Sequence, residues 1–303
     1  MYLNIRRSAI LTGHQASVFA LGASRRRGTI LSGAGDGWLV EWDLANPETG
    51  RLLARVDRQV FSLALVPGTS MLVAGNMDGG VHWVDLDDPS RSRDIAHHRK
   101  GAFSLLPVGS YLLSGGGDGR LTRWSVAEMR AIETLQLCYG SLRAIDYSPA
   151  RAEIAVGAGD GNIYLLDAES LDLRHVITGA HKNTVFSLRY APEGHYLLSG
   201  GRDAFLRAWD TDNAWQQIME QPAHWFTVND IVFHPAKPHF ATASRDKTVK
   251  IWDATTFRLL KVLDSIRSKG HINSVNCLFW DPGTGLLVSG SDDRSLILWE
   301  YEV

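Results

Sequence analysis

His14, Ser32 and Asp36 are the residue types of a general base, a nucleophile and the group that orients the base. The same combination returns as His98, Ser114, Asp118, as His181, Ser199, Asp203 and as His271, Ser289, Asp293, with Thr242 as the hydroxyl between His224 and Asp246. Nucleophilic catalysis needs one such set converging on one substrate. Here five copies recur at regular spacing, each followed by a Trp (Trp42, Trp124, Trp209, Trp252, Trp299), which marks a structural repeat. We therefore expect no catalytic residue and no enzyme activity.

The remaining candidates for chemistry also have plainer readings. "GGGDG" at Gly115 precedes a strand-like run, whereas a phosphate loop needs a helix N-terminus and, in the P-loop, a Lys-Ser/Thr pair. His97 with His98, and His234 with His239, lack Cys or carboxylate partners at zinc-site spacing. No metal and no cofactor is expected. Cys138 and Cys277 are far apart, and no Asn-x-Ser/Thr acceptor is present, so nothing points to an oxidising compartment. The basic runs Arg25 to Arg27 and Arg91, Arg93 fall in loops or at the tail of a repeat.

Composition sets the frame for these residues. The 303-residue chain is 45% hydrophobic and 21% charged, with a formal charge of -2, which suits a soluble globular protein. That balance argues against nucleic acid or an anionic membrane as partner, both of which favour a basic stripe. No apolar run approaches the ~18 to 20 residues of a membrane span, and "MYLNIRRSAIL" is too short and too broken by Arg for a signal peptide. The expected location is the cytoplasm.

Aligned on the recurring Asp, the chain gives Asp36, Asp78, Asp118, Asp160, Asp203, Asp246 and Asp293, separated by 42, 40, 42, 43, 43 and 47 residues. A period near 40 to 45 with four short β-rich segments is the signature of a propeller of four-stranded blades. The expected fold is all-β, a seven-bladed β-propeller of antiparallel blades forming one domain over 1–303. In the sixth unit the strands read as "TVNDIVFHP", "FATAS", "TVKIWD" and "RLLKVLD". In four units the Asp is followed by Gly, a strong hairpin signal because both residues tolerate positive φ.

These motifs resemble the Trp-Asp (WD) repeat β-propeller family over essentially the whole chain. The resemblance implies that the His, Ser or Thr, Asp and Trp of one unit form a hydrogen-bonded set. Five units carry all four residues. In the second unit the matching positions hold Val56, Ala74 and Val84, in the fourth Cys138, Val156 and Leu166, so only the Asp survives. Such wholesale loss is what polar bookkeeping favours, because deleting one partner would strand a buried group at ~1 to 3 kcal/mol. After Trp299 too little chain remains for a fourth strand, and "LNIRRSAIL" at the N-terminus is expected to supply it, closing the ring without a free edge between first and last blades.

The turn holding the Asp and the loop holding the His lie at one end of a blade, here called the top. The second residue of each first strand lies near that end, and is expected around the mouth of the central channel. From unit to unit it is Phe19, Phe61, Phe103, Arg143, Phe186, Asn229 and Asn276. Strands favour Phe in any case, but Val18, Leu21, Val60, Leu63, Val185 and Leu188 already fill the core positions. Before the turn Asp stand Arg202 and Arg245 on successive units, with Trp225 and Phe226 leading into the sixth. Arg and aromatic residues are enriched at interface hot spots. The family resemblance implies a non-catalytic scaffold, and this surface suits a peptide or protein with an apolar anchor and acidic groups. The alternative, a small-molecule or catalytic propeller, would need carboxylates or His at the mouth, and that column has none.

Overall fold

The computed structural model describes residues 3–302. Seven four-stranded antiparallel sheets, the blades of a β-propeller, carry the regular structure. Blade one runs Val18–Ala23, Thr29–Ala34, Trp38–Asp43 and Gly50–Arg55, and blades two to six repeat that plan in chain order. Blade seven takes only Val275–Trp280, Leu287–Ser291 and Ser295–Glu302 from its own repeat; its outermost strand is Asn4–Thr12, paired from Asn4 opposite Glu302 to Thr12 opposite Ser295. The N-terminal strand thus completes the last blade. Among the described residues no helix is long and apolar enough to cross a membrane.

Two compact units divide the chain: Met1–Leu63 with Asn229–Val303, and Ala64–Val228. In the first, Ile251, Trp280, Leu287 and Trp299 form one apolar cluster and Leu11, Val18, Ile30 and Trp42 another. In the second, three clusters centre on Trp83 with Trp124, on Leu142 with Val156 and Leu166, and on Leu165 with Trp209. Each cluster draws on two successive blades, so the core lies between sheets. Strand composition follows from that position. The second strand Thr29–Ala34, covered on both faces, is buried at every residue, whereas the outermost strand Arg130–Gln136 alternates between exposed and half-buried.

The hairpin after each second strand demands positive φ at the residue after the Asp. Gly37, Gly79, Gly119 and Gly161 supply it at +77°, +91°, +76° and +85°, and Ala204, Lys247 and Arg294 adopt it without that freedom at +69°, +74° and +69°. Space matters as much as angle. A Cβ on Gly37 would lie 2.2 Å from the Val56 carbonyl oxygen, and one on Gly119 only 2.0 Å from that of Cys138. The turn of one blade therefore packs directly on the backbone at the His position of the next.

Candidate partner-binding surface

In blade one the Trp42 Nε1–H donates to Ser32 Oγ at 2.7 Å, Ser32 Oγ is 2.7 Å from His14 Nε2, and His14 Nδ1 is 3.0 Å from Asp36. Blade three repeats the chain through Trp124, Ser114, His98 and Asp118 at 2.8, 2.8 and 3.2 Å. Blade five runs through Trp209, Ser199, His181 and Asp203 at 2.9, 2.8 and 2.9 Å. Blade seven does so through Trp299, Ser289, His271 and Asp293 at 2.9, 2.8 and 2.8 Å. In the first unit Trp252 Nε1–H donates to Thr242 Oγ1 at 2.9 Å, while His224 belongs to the second unit.

Burial and electrostatics show what these sets can do. Ser32, Ser114, Ser199 and Ser289 are 0% exposed, and each hydroxyl lies between an indole donor and an imidazole. No substrate can reach such an oxygen. Burial holds the His14, His98 and His181 imidazoles below their usual value, against the pull of their Asp partners. Burial alone would raise Asp293, but the His271 imidazole and Ser295 hydroxyl bring it down to about 2. Blade five adds a buried guanidinium, Arg207, 3.0 Å from Asp203 and 2.8 Å from Glu220.

The column of second residues on the first strands has a backbone cause that the sequence does not display. Register shifts fall between Val18 and Ala20, Ala102 and Ser104, Leu142 and Ala144, Val185 and Ser187, and Val275 and Cys277. Phe19, Phe103, Arg143, Phe186 and Asn276 are thus the extra residues of β-bulges, and a bulge re-aims the side chain it carries. All five are half-buried, as are Phe61 and Asn229.

Within the first unit the rings of Phe19 and Phe61 meet edge to face at 5.0 Å. The Asn229 amide donates to the Val275 carbonyl at 2.8 Å, and that of Asn276 to the Val18 carbonyl at 3.0 Å and Asp292 at 2.7 Å. Both amides are therefore committed to first-strand backbone of neighbouring blades. Arg245 is exposed.

The second unit holds a different arrangement. The Arg143 guanidinium lies 4.0 Å from the ring centre of Phe103 and 4.8 Å from that of Phe186. Burial, with the like charge of Arg202, lowers its pKa from the usual arginine value. Among the described residues no carboxylate pairs with Arg143. In the same unit the loops that enter the blades expose Tyr139 (98%), Trp225 (84%) and Phe226 (57%), and Arg202 is exposed beside its turn. Gly140 and Gly159 bring the loop entering blade four against its hairpin, since a Cβ on Gly140 would lie 2.9 Å from the Gly159 Cα.

At the position after the set His, two exposed apolar residues escaped the sequence reading, Tyr139 and, in the first unit, Ile272 at 65%. The residue after each set His position reads Gln15, Asp57, Arg99, Tyr139, Lys182, Trp225 and Ile272, so this third column contained the signal. The other candidates are bound up in structure. His97 Nε2 lies 2.8 Å from Thr122 Oγ1, and His234 Nδ1 accepts from the Ala236 and Lys237 amides, its pKa held down to about 4 by burial and the Lys237 charge. Among the described residues no group of three His, Cys, Asp or Glu could hold a metal ion.

A family model, "WD domain, G-beta repeat", matches residues 172–210, 215–253 and 260–300. The chain is 21% identical to "Protein tipD" of Dictyostelium discoideum over 298 residues, covering 95% of this chain and 48% of that protein. It is 29% identical to "Protein groucho" of Drosophila melanogaster over 188 residues, covering 60% and 25%. The chain thus spans about half or less of the length of these curated relatives. The WD40 β-propeller domain of Doa1 superposes with a TM-score of 0.85 at 19% identity, covering 99% of this chain and 98% of that one, a likeness of fold.

Proposed function

Because the chain belongs to the WD-repeat β-propeller family, whose members are mostly scaffolds for protein interactions, we propose that it is a non-catalytic cytoplasmic scaffold binding a peptide or protein on its top surface. The observation that carries this reading is Arg143, a half-buried guanidinium stacked between Phe103 and Phe186 and lacking a carboxylate of its own. Stacking fixes the fork without neutralising it, and a preorganised cation on an apolar floor suits a partner's carboxylate. Exposed Tyr139, four residues before it, and Trp225 and Phe226 in the loop entering blade six offer area for an apolar anchor. In the other unit, Phe19, Phe61, Asn229, Arg245 and Asn276 hold the equivalent repeat positions, with the two Asn amides acting chiefly to hold the first strands together. The free, buried thiols Cys138 and Cys277 suit a reducing compartment.

Affinity capture from the source cell's cytosol tests this, comparing the wild type with Phe103→Ala/Arg143→Ala after matched unfolding curves. The expected result is a protein retained by the wild type and lost by the double variant. Retention by both would remove the proposed site.

A further inference from the structure

The longest repeat interval, 47 residues from Asp246 to Asp293, is not required by the fold. Its surplus lies in the segment 264–270, between the outermost strand of blade six, Leu259–Leu263, and His271. In blade five the equivalent strand ends at Pro222, and His224 follows after one residue. This insertion is built, not slack. The Asp264 carboxylate accepts from the Ile266 and Arg267 amides at 3.0 and 2.6 Å, and its carbonyl accepts from Gly270 N–H at 2.8 Å. The loop holds Ile266 out at 88% exposure.

Beneath it lies a groove of ≈ 590 Å³, wholly within the first unit, between Leu259–Leu263 and the outermost strand of blade seven, Asn4–Thr12. Arg6, Arg7, Lys261, Arg267 and Lys269 line it. Glu300 pairs with Arg6 at 2.8 Å, but among the described residues no carboxylate pairs with the other four. Four uncompensated cations in one groove of a chain whose net charge is -2 form a concentrated field. Apolar surface accompanies the charge, since Leu259, Leu260 and Ile266 are exposed. Both flanking strands are also the last of their sheets, with edges open to a further strand.

We propose that this groove is a second docking site, separate from the top surface, which takes an extended acidic segment of a partner protein. Its carboxylates face Lys261, Arg267 and Lys269, its aliphatic side chains meet Leu259 and Ile266, and its backbone runs along a strand edge. Alternating side chains of an extended peptide serve both needs at once. The concavity favours a peptide over a bilayer, because a flat headgroup plane would touch the protruding loop and miss Arg7 and Lys261 on the strands that flank the groove. The preordered loop lowers the ordering cost of binding.

The test is fluorescence anisotropy of a labelled peptide of alternating Glu and Leu, titrated with the full chain, beside cosedimentation with vesicles of phosphatidylcholine and phosphatidylserine. We expect saturable, salt-sensitive peptide binding, weakened about tenfold or more by Lys261→Glu/Arg267→Glu/Lys269→Glu and several-fold by Ile266→Ser. The Gln triple at the same three positions serves if charge reversal disturbs folding. Because the proposed top surface also takes acidic groups, the triples are repeated in the Phe103→Ala/Arg143→Ala background, where they should remove the remaining peptide binding; binding lost in Phe103→Ala/Arg143→Ala alone and kept in both triples would assign the peptide to the top surface and overturn the proposal. Equal peptide binding by wild type and both triples would overturn the proposal, as would wild type that binds the vesicles and not the peptide.

Discussion

Blades three and four stand side by side in the second unit and solve one packing problem in opposite ways. Blade three buries Trp124, Ser114 and His98 and connects them into one polar chain. Blade four places Leu166, Val156 and Cys138 at the same positions, the first two fully buried. The Cys138 thiol turns to the Gly140 carbonyl at 3.2 Å, so blade four leaves no orphaned polar atom where the set would be. Either complete arrangement suits a buried site and a half-finished one does not, because a stranded donor bears its full desolvation cost while an intact bond contributes only ~0.5 to 1.5 kcal/mol net.

Deleting the middle of the polar chain should give the largest effect. Ser114→Ala strands the Trp124 N–H and the His98 Nε2 together, and we expect a loss of about 2 to 4 kcal/mol in urea unfolding. Val156→Ser is the reciprocal error, a lone hydroxyl among apolar side chains, and should cost about 1 to 3 kcal/mol. A change under ~0.5 kcal/mol for Ser114→Ala, the size of an ordinary surface substitution, would end the comparison.

A sharper contrast of intermediate size uses one substitution twice. Trp83 of blade two is fully buried against Trp124, 6.1 Å between ring centres, yet its Nε1 has no acceptor. Blade two thus dropped its set but acquired an orphan one residue before Val84, where the set Trp would stand. Trp→Phe shrinks both sites alike but removes a made bond at Trp124 and an unmade one at Trp83. Trp124→Phe should therefore cost at least about 1 kcal/mol more than Trp83→Phe. Equal losses would mean that ring volume, and not the indole N–H, governs both sites.

Much of this was legible from spacing. The repeat of Asp36, Asp78 and their successors announced the blades, and the missing fourth strand after Trp299 pointed to the N-terminal strand that completes the last one. Such features depend on period and on what a blade must bury. The bulge at Phe19, Phe103 and Arg143 was not legible, because it is a backbone register shift and Val18-Phe19 or Leu142-Arg143 also reads as ordinary alternation. The Arg143 stack depends on three bulges, at Phe103, Arg143 and Phe186, agreeing in space, which no local pattern encodes. Tyr139 and Ile272 were visible in principle, in a column of loop residues where apolar types are the anomaly. The division into two units leaves no mark on a sequence whose repeats are nearly uniform.

The smallest expected difference is dynamic. At neutral pH the amides of Glu153–Ala158 in blade four should exchange faster than those of Tyr111–Gly116 in blade three, because blade four lacks the polar chain. A local opening energy about 1 kcal/mol lower makes that roughly fivefold after correction for intrinsic rates. Acid should narrow the gap. Burial lowers the His98 pKa, so the closed blade holds it neutral, whereas an opened blade restores a value near ~6.5. Below that value the open form binds a proton that the closed form refuses, and the protection of blade three falls. Burial alone would raise Asp118, but the Arg99 amide and the His98 imidazole hold it below its ordinary value, so its contribution persists above the unfolded carboxylate range and is lost as pH falls through the lower folded value. The Cys138 thiol, raised by burial, is already protonated throughout and gives blade four no matching loss. The ratio of the two exchange rates should therefore shrink between pH 7 and pH 5. A ratio that grows over that interval, or slower exchange in blade four at pH 7, would show that the polar set does not hold the blade shut.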